Sequence, residues 1–395
     1  MLLALLLAAL AAPPWVQTGE PVLVVEAPAA ERRWGRYQFP RIWRDAAGKP
    51  VVFAHVEADA VESYGKPLQA FVSPDSGTSW RPDPKAADRA YGVRLPNGDY
   101  LQSATTAPLP VETARLPKPV GELRAYADAY TFYRLAELPH EMRLIFFDRF
   151  PAGGTSWQRE STALNDPDGL RGFVRGTLPR IWWGDMRIAR DGSLVAVVYP
   201  AYQETPGRLY MHAACYSSTD NGRNWRLKGR IPYRFDRTAD PRGAERNGYS
   251  EPALEILKDG SLFVVLRTTD ALGIGPMYSS RSNDLGRTWT APRAFTPTGV
   301  MPRLLLLGNG TLVMTSGRPG VDLRFSFDGR GEHWSEPRRL VPADAANPQA
   351  DSCGYTDLLP LDRNTFLLVY TWFNRPGADG RLHKSVLTRR ITVTR

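Results

Sequence analysis

Five polar residues in this sequence have the types and the spacing that chemistry on an anionic ligand requires. Arg41, Glu251 and Tyr355 stand near the starts of strand-like segments, whereas Arg267 and Arg318 follow the ends of such segments. If these ends meet, three guanidinium groups lie together, and their repulsion is costly unless an anion sits among them. Guanidinium groups pair bidentately with carboxylates. The set therefore predicts a site for a carboxylate-bearing ligand.

Such a set needs a framework that brings distant segments to one point, and the turn signals of the sequence predict this framework. Apolar segments such as residues 194–198 and 262–266 are typical of buried strands. Six tight turns each separate two such segments: Ala47-Gly48-Lys49, Asn97-Gly98, Asp191-Gly192, Asp259-Gly260, Asn309-Gly310 and Arg363-Asn364. Turns of this type accept the positive φ angles of β-hairpins. The pattern predicts six inner hairpins.

A second repeated pattern, Ser-x-Asp-x-Gly-x-x-Trp, follows most of these hairpins. Copies begin at Ser73, Ser218 and Ser282, a copy with one inserted residue begins at Ser326, and a degenerate copy spans Gly154 to Trp157. In such a turn Ser and Asp hydrogen-bond the backbone amides, Gly supplies a positive φ, and Trp packs beneath. Repeats of this kind indicate a repeat architecture. With the hairpins, they predict an all-β fold, a six-bladed β-propeller of four-stranded antiparallel blades.

The ends of the chain predict how the domain is bounded. We expect residues 30–395 to form a single propeller domain, in which a strand near residues 382–394 pairs with N-terminal strands and closes the ring. Residues 1–12 are an unbroken apolar run that ends in Ala9-Leu10-Ala11, which predicts a signal peptide. The run is shorter than the roughly 18 apolar residues that a membrane span needs. We expect a secreted or periplasmic chain with no stable membrane insertion.

Composition narrows the classes of partner and cofactor. The chain has 395 residues and a formal net charge of +9, and only seven of its 50 basic residues are lysines. Because no basic run or basic helix concentrates this charge, a nucleic-acid partner is not expected. Five scattered histidines show no metal-ligand spacing, so neither a metal nor another cofactor is expected. Two buried free thiols are favoured for Cys215 and Cys353, with a single disulfide as the alternative.

Several motifs resemble those of one enzyme family. The repeated turns resemble the Asp-box of sialidases and related propeller proteins, in which the box marks the fold and does no chemistry. Residues 39–42 (Phe-Pro-Arg-Ile) resemble the exo-sialidase motif around its first arginine. The span from Glu251 through the Asp-Gly turn to Arg267 is similar to the segment with the family's glutamate and second arginine. Arg318 precedes the strand that enters the last box, and residues 355–358 (Tyr-Thr-Asp-Leu) resemble the segment of the nucleophilic tyrosine.

The resemblance implies an exo-α-sialidase-like glycoside hydrolase with a retaining mechanism. Arg41, Arg267 and Arg318 would hold the carboxylate of a terminal sugar, while Glu251 would deprotonate the nucleophile Tyr355. A neutral tyrosine suits this role because an anionic nucleophile would be repelled by the substrate carboxylate. The general acid belongs to the segment after the first hairpin. Asp59 is the preferred candidate there, and Glu62 and Glu57 are the alternatives.

Other functions remain open from the sequence. A propeller lyase or hydrolase on uronate-containing glycans also needs cations around a carboxylate, and a lyase would use His55, Tyr64 or Tyr199 as its base. A non-catalytic glycan-binding propeller is the third hypothesis. In each case the expected partner is a carbohydrate with a carboxylate, either a sialoside or a uronate. The structural alternatives are that Arg41 pairs with Asp185 or Asp357, that Glu251 and Arg267 form a plain salt bridge, and that Tyr355 is packed core.

Overall fold

Seven antiparallel β-sheets account for the regular structure of the described residues. The computed structural model describes residues 14–112, 115–125, 128–182, 184–269, 273–344 and 346–394, so the predicted signal peptide at 1–12 lies outside the described residues. The first two strands, which belong to the last blade, are β1 (Trp15–Thr18) and β2 (Val22–Glu26). Blade 1 follows with β3 (Gln38–Arg44), β4 (Pro50–His55), β5 (Gln69–Val72) and β6 (Arg81–Pro82).

The next part of the chain contains both a blade and part of an additional sheet. Its strands are β7 (Val93–Arg94), β8 (Tyr100–Ser103), β9 (Thr106–Pro110), β10 (Gly121–Ala125), β11 (Asp128–Arg134), β12 (Leu144–Phe150), β13 (Gln158–Ala163), β14 (Leu170–Val174) and β15 (Thr177–Arg180). Blade 2 consists of β7, β8, β12 and β13, in that order from the channel outwards. The other five strands belong to the additional sheet.

The remaining blades follow in chain order. The strands between residues 184 and 231 are β16 (Gly184–Ile188), β17 (Leu194–Val198), β18 (Ala201–Thr205), β19 (Arg208–Met211), β20 (Ala213–Ser218) and β21 (Arg226–Ile231). Blade 3 takes β16, β17, β20 and β21, whereas β18 and β19 complete the additional sheet. Blade 4 contains β22 (Tyr249–Ile256), β23 (Leu262–Thr268), β24 (Met277–Ser282) and β25 (Arg293–Thr296).

The last two blades complete the ring. Blade 5 contains β26 (Val300–Leu306), β27 (Leu312–Gly317), β28 (Val321–Ser326) and β29 (Arg338–Val341). Blade 6 contains β30 (Asp357–Pro360), β31 (Thr365–Pro376) and β32 (Leu382–Thr394). The two N-terminal strands pair with β32, with Trp15 opposite Thr394 and Val22 opposite Thr388. The predicted closure of the ring and the predicted six-bladed propeller are therefore confirmed.

Packing between neighbouring blades forms the core. Every residue of β17 and β23 is buried, because a second strand is covered on both faces by the blades beside it. One apolar cluster fills each of the six junctions, and the cluster between blades 2 and 3 stacks Trp225 on Phe147 at 5.5 Å. Burial of a large apolar side chain contributes about 1.5–3 kcal/mol. These junctions fix the first strands around the channel.

The Asp-box turns hold the outer hairpin of their blades as the sequence predicts. In the first box, Ser73 Oγ accepts a hydrogen bond from Gly77 N at 2.6 Å, and Asp75 Oδ1 accepts one from Ser79 N at 2.8 Å. In the second box, Trp225 Nε1 donates to Gly222 O at 3.0 Å. The glycines of the four full boxes have positive φ and pack against the preceding blade, so their positions admit no side chain.

The additional sheet is the part of the fold that the sequence analysis did not identify. Its seven strands run in the order β10-β11-β14-β15-β9, with β18 paired to β14 and β19 paired to β18. It reaches from blade 1, where Gly65 packs on the backbone of β9, to blade 4, where Asn247 Nδ2 donates to Arg124 O at 2.7 Å. The sheet therefore lies along one side of the ring, between its contacts with blade 1 and blade 4.

Helical structure is limited to single turns in the described part of the chain. These 3-10 helices span Val61–Ser63, Pro84–Asp88, Leu135–Glu137, His140–Met142 and Gly243–Glu245. Within the described ranges, the chain contains no helix with the length and apolar character of a membrane span. Cys215 and Cys353 are both buried and free, which confirms the preference for two thiols over a disulfide.

Candidate active site

An irregular start shared by three first strands aims side chains at one end of the channel. In β3, β22 and β26 the pairing register shifts, and a residue with positive φ stands directly before a proline. These residues are Phe39, Glu251 and Met301, with φ of 50°, 44° and 42°. Positive φ in a non-glycine residue costs on the order of 1–3 kcal/mol and is concentrated at functional sites. The bulges therefore mark this end of the channel, which we call the mouth.

The centre of the mouth is a bonded chain of Tyr355, Glu251 and Arg267. The Tyr355 hydroxyl donates a hydrogen bond to Glu251 Oε1. Glu251 Oε2 lies 2.6 Å from Arg267 Nη1 and accepts a hydrogen bond from Met301 N at 3.0 Å. The pairing of β22 with β23 places Ser250 opposite Arg267, which brings the glutamate and the arginine together. Residues 104 positions apart thus share one carboxylate.

Arg318 completes this group, which we call the mouth cluster (Tyr355, Glu251, Arg267 and Arg318). Only 4% of Arg318 is exposed, and its Nε donates to Cys353 O at 2.9 Å. Its Cζ lies 5.7 Å from the centre of the Tyr355 ring and 5.2 Å from that of Trp34. Two buried guanidinium groups therefore flank the tyrosine, which is an arrangement suited to a bound anion.

Burial and charge keep the Tyr355 proton on its oxygen. Burial raises the pKa of this hydroxyl, the adjacent Glu251 carboxylate raises it further, and Arg267 and Arg318 oppose the shift without cancelling it. The pKa lies well above its ordinary value, so the free site holds a neutral tyrosine bonded to an adjacent carboxylate. Such a pair can act as a nucleophile and its general base once the proton moves to the carboxylate.

Arg41 lies deeper in the channel than the mouth cluster. Its electrostatic neighbours are Arg303, Asp357 and Asp185, with Tyr355 the weakest of them. Burial and the charge of Arg303 lower the pKa of Arg41 to about 10. The structure therefore places Arg41 among the carboxylates that the sequence analysis gave as its structural partners, and also within electrostatic range of Tyr355.

A ring of charged side chains, which includes Arg41, lies two to four residues beyond the mouth positions along the first strands. We call it the channel belt, and it consists of Arg41, Asp185, Arg187, Glu255, Arg303 and Asp357. Its carboxylates also join neighbouring blades, since Asp357 Oδ2 accepts from Ile42 N at 3.1 Å and Asp185 Oδ2 accepts from Leu254 N at 3.2 Å. The belt closes the channel below the mouth with compensated charge.

The three candidate acids all belong to the segment between β4 and β5. Asp59 is exposed, and its Oδ2 accepts a hydrogen bond from Trp34 Nε1 at 3.0 Å. The guanidinium group of Arg318 in turn lies over the Trp34 ring. Glu57 lies 3.8 Å from Lys66, and Glu62 lies 3.9 Å from Arg175 of the additional sheet. Asp59 is thus the candidate with a direct connection to the surroundings of the mouth cluster.

Three tyrosines line the side of the mouth next to the additional sheet. Burial raises the pKa of Tyr199 well above its ordinary value, and the nearby Glu251 carboxylate adds to this shift. Tyr64 and Tyr130 of β11 are further electrostatic neighbours of Tyr199. On the other side, His55 Nδ1 lies 3.1 Å from Gly35 O, so Nδ1 carries the proton of the neutral ring. The sequence analysis named Tyr64, Tyr199 and His55 but not Tyr130.

A sequence signal for the mouth positions exists, although the sequence analysis did not use it. Pro40, Pro252 and Pro302 each stand eight residues before the glycine of the next inner turn. The residue before each proline is the one with positive φ. Tyr355 stands nine residues before Asn364 in the turn of blade 6, which is the offset of these pre-proline residues from their turn glycines. Equal offsets from equivalent turns therefore identify equivalent positions around the channel.

Metal chemistry finds no support in the described ranges, where no group of three or more His, Cys, Asp or Glu side chains is arranged to hold a metal ion. The polar groups at the mouth are instead two arginines, a carboxylate and a phenol. This composition can bind an anion and move a proton.

Comparisons with known proteins agree with the fold. The model of the BNR repeat-like domain matches residues 151–359. No curated protein sequence matches the chain significantly. Among solved structures, a protein of unknown function from Dyadobacter fermentans is 17% identical, with a TM-score of 0.57, and the alignment covers 96% of this chain and 99% of that one.

Two further solved structures are glycoside hydrolases. The GH93 α-L-arabinofuranosidase of Fusarium graminearum, in complex with arabinobiose, is 15% identical over 94% of this chain and 97% of that one, with a TM-score of 0.54. A Hadza microbial sialidase is 16% identical over 90% of this chain and 66% of that one, with a TM-score of 0.51. At such identities the similarity shows a shared fold, and the substrate must be argued from the site.

Proposed function

Because this chain belongs to the family of BNR repeat-like domains, whose propeller it shares with glycoside hydrolases, we propose that the mouth cluster is a glycosidase active site. The substrate class is a glycan with a terminal anionic sugar, and the reaction is of the exo-α-sialidase type with retention of configuration. The observation that carries the proposal is the hydrogen bond from Tyr355 to Glu251 between two buried arginines.

The arginines supply the anion site of this mechanism. Arg318 and Arg267 are each 4% exposed at the two sides of Tyr355, and Arg41 lies below it. A guanidinium group has five N–H donors, so Arg267 can share its donors between Glu251 and a substrate carboxylate. Charge-assisted hydrogen bonds of this kind are about twice as strong as neutral ones. They would orient the sugar with its anomeric carbon towards Tyr355.

The covalent step follows from the protonation state of the pair. The Tyr355 oxygen forms a bond to the anomeric carbon as the glycosidic C–O bond breaks, and the phenolic proton passes to Glu251. A neutral nucleophile avoids repulsion from the substrate carboxylate, as in the known exception to two-carboxylate glycosidases. Water then attacks the anomeric carbon as the bond to the Tyr355 oxygen breaks, Glu251 returns its proton to the phenol oxygen, and the proton of the water passes to the carboxylate that protonated the leaving group.

Asp59 is proposed as the acid that protonates the leaving oxygen. Its hydrogen bond from Trp34 fixes the carboxyl beside the residue that packs on Arg318. A general acid must come within about 2.6–3.2 Å of the atom that it protonates, and such contacts often form only when the substrate is bound. We therefore assign Asp59 to the leaving-group side of the mouth.

Hydrolysis of a methylumbelliferyl sialoside by the purified chain tests the proposal. The expected result is turnover that falls at least about a thousandfold in Tyr355→Phe, which loses the nucleophile, and a KM that rises at least about tenfold in Arg318→Ala, which loses part of the anion site. Tyr370→Phe is the matched control, since Tyr370 is a fully buried tyrosine of the same blade whose hydroxyl accepts a hydrogen bond from Arg389 at 3.0 Å. Absence of turnover by the wild-type chain would contradict the sialidase assignment.

A second candidate substrate is an α-L-arabinoside. The alignment covers 97% of the GH93 arabinofuranosidase, against 66% of the sialidase, so this chain is closer in extent to the arabinofuranosidase. Arabinose is neutral, and it would leave the buried arginines of the mouth without an anion. A nitrophenyl α-L-arabinofuranoside therefore belongs in the same assay, and faster turnover of this compound would replace the sialoside as substrate.

A further inference from the structure

A second cleft lies next to the mouth, where the start of blade 1 meets blade 6. It has a volume of about 270 Å³, and its walls include Arg32, Trp34, Gln38, Phe373 and Lys384. Trp34 belongs to both places, because its ring packs under Arg318 and its Nε1 donates to Asp59. The cleft therefore adjoins the proposed acid through Trp34.

The buried amide of Gln38 indicates that the cleft binds a polar ligand. Gln38 is 0% exposed, and neither Oε1 nor Nε2 has a hydrogen-bond partner among the described residues. Leaving a buried polar group unsatisfied costs about 1–3 kcal/mol. A primary amide offers a donor and an acceptor side by side, which matches a pair of adjacent sugar hydroxyls.

The ammonium group of Lys384 indicates that this ligand is anionic. Lys384 is 2% exposed, and its Nζ donates to Arg33 O at 2.7 Å and lies 4.9 Å from the Phe373 ring centre. No carboxylate within the described residues forms an ion pair with it, although Glu31 is an electrostatic neighbour. A buried ammonium without an ionic partner is costly. The guanidinium of Arg32, bonded to two backbone carbonyls, adds positive charge to the same cleft.

We propose that this cleft is a second sugar subsite, which takes one carboxylate-bearing sugar ring against the Trp34 and Phe373 rings, themselves in edge-to-face contact at 6.1 Å, with its carboxylate at Lys384 and its hydroxyls at Gln38. Its volume is below the roughly 300 Å³ at which pockets for drug-sized ligands begin, so it fits a single ring. The assignment to the leaving-group side rests on the proposed function, because Asp59 would protonate the oxygen between the two sugars. The binding itself does not depend on hydrolysis.

Calorimetric titration with D-galacturonate and D-galactose, which differ in the carboxylate, tests the subsite. Galacturonate is expected to bind at least tenfold more tightly than galactose. Gln38→Leu and Lys384→Met should each weaken the binding of galacturonate at least tenfold, whereas Arg267→Met at the mouth should leave it within twofold. The melting temperature of Gln38→Leu should not fall, because leucine removes an unsatisfied amide from a buried position.

Three results would overturn the subsite. The first is loss of binding in Arg267→Met with no change in the two cleft variants, which would place galacturonate at the mouth and leave the proposed function intact. The second is equal affinity for galactose, or equal affinity for acetate, which would remove the sugar-acid specificity. The third is no binding to the wild-type chain at millimolar sugar, a result that does not bear on sialoside hydrolysis.

Discussion

Two glutamates of the same strand, Glu251 and Glu255, have nearly the same structural role but differ in the hydrogen-bond partner of one carboxylate oxygen. Each accepts a backbone hydrogen bond from blade 5 at Oε2, Glu251 from Met301 at 3.0 Å and Glu255 from Leu306 at 3.3 Å. Each also faces an arginine, at 2.6 Å in the mouth cluster and 3.6 Å in the channel belt.

The difference lies in the second carboxylate oxygen. Glu255 Oε1 accepts a hydrogen bond from its own neighbour Ile256 N at 2.9 Å, whereas Glu251 Oε1 accepts a hydrogen bond from the Tyr355 hydroxyl. The bulge at Glu251, with its positive φ, sets this orientation. A carboxylate that joins two blades thus becomes a candidate base through one local change in backbone geometry. The mouth cluster holds a transferable proton, and the channel belt holds compensated charge.

The largest expected effect separates these two glutamates by function. Glu251→Gln should reduce turnover of the sialoside about a thousandfold, within the range of 10²–10⁴ that general bases contribute. Glu255→Gln should keep turnover within about fivefold. Burial raises the pKa of Glu255 and the charge of Arg187 opposes this, while a glutamine can accept only one of its two backbone hydrogen bonds, so the loss of stability should be about 1–3 kcal/mol. Steady-state kinetics and thermal melting of both variants measure the contrast. Equal loss of activity in both would abolish it.

Replacing an arginine of the channel belt should mainly reduce stability, whereas replacing an arginine of the mouth cluster should mainly weaken substrate binding. Arg303→Met in the channel belt removes the cation that lies 3.6 Å from the carboxylate of Asp357 and leaves Arg41 as a remaining positive neighbour there, and breaking a buried pair costs about 3–5 kcal/mol. Arg318→Met in the mouth cluster should instead raise KM for the sialoside by about tenfold or more, with a smaller loss of stability. Urea unfolding and kinetics of the two variants give both values. A stable Arg303→Met chain would show that the belt does not support the fold.

The loss of stability at low pH should come from the carboxylates of the channel belt rather than from the mouth cluster. Burial alone would raise the pKa of Asp185, but Arg187 and Arg303 outweigh it and hold this pKa below its ordinary value of 3.8. The stabilisation is therefore present above about pH 4 and is lost as the pH falls through the folded-state pKa. Asp185→Asn should be less stable than wild type at pH 7, and the gap should close at low pH. A gap that stays constant with pH would exclude this carboxylate as its source.

The smallest expected effect concerns Tyr199, on the other side of Glu251. Its raised pKa leaves it neutral, and no hydrogen bond joins its hydroxyl to the mouth cluster in the described residues. Tyr199→Phe should change turnover by less than about fivefold. Loss of activity in Tyr199→Phe, with unsaturated products from a uronate polysaccharide, would favour a lyase that uses Tyr199 as its base.

Local signals in the sequence were sufficient to predict the propeller. Turn glycines, box residues and apolar second strands recur from blade to blade, and each copy of a pattern indicates the same structural element of its blade. The additional sheet could not be predicted this way. Its strands come from three separate segments between residues 106 and 211, and the pairing of β14 with β18 depends on contacts that no local pattern encodes.

The chemistry of the candidate site could be predicted from the sequence, but the depth of each side chain in the channel could be predicted less well. Tyr355, Glu251, Arg267 and Arg318 lie at strand ends that a propeller brings to one mouth. The position of Arg41 depends on how far along its strand the side chain enters the channel, and the bulge at Phe39 sets that distance. The cleft at Gln38 depends on the junction of blades 1 and 6, which chain order alone does not reveal.

The most direct test of the central claim is to trap the covalent intermediate. The chain would be incubated with a sialosyl fluoride that carries a second fluorine beside the anomeric carbon, which slows hydrolysis of the glycosyl-enzyme, and then digested for peptide mass spectrometry. The account predicts one sugar adduct on Tyr355, lost in Tyr355→Phe and formed more slowly in Glu251→Gln. An adduct on another residue, or no adduct on the wild-type chain, would contradict it.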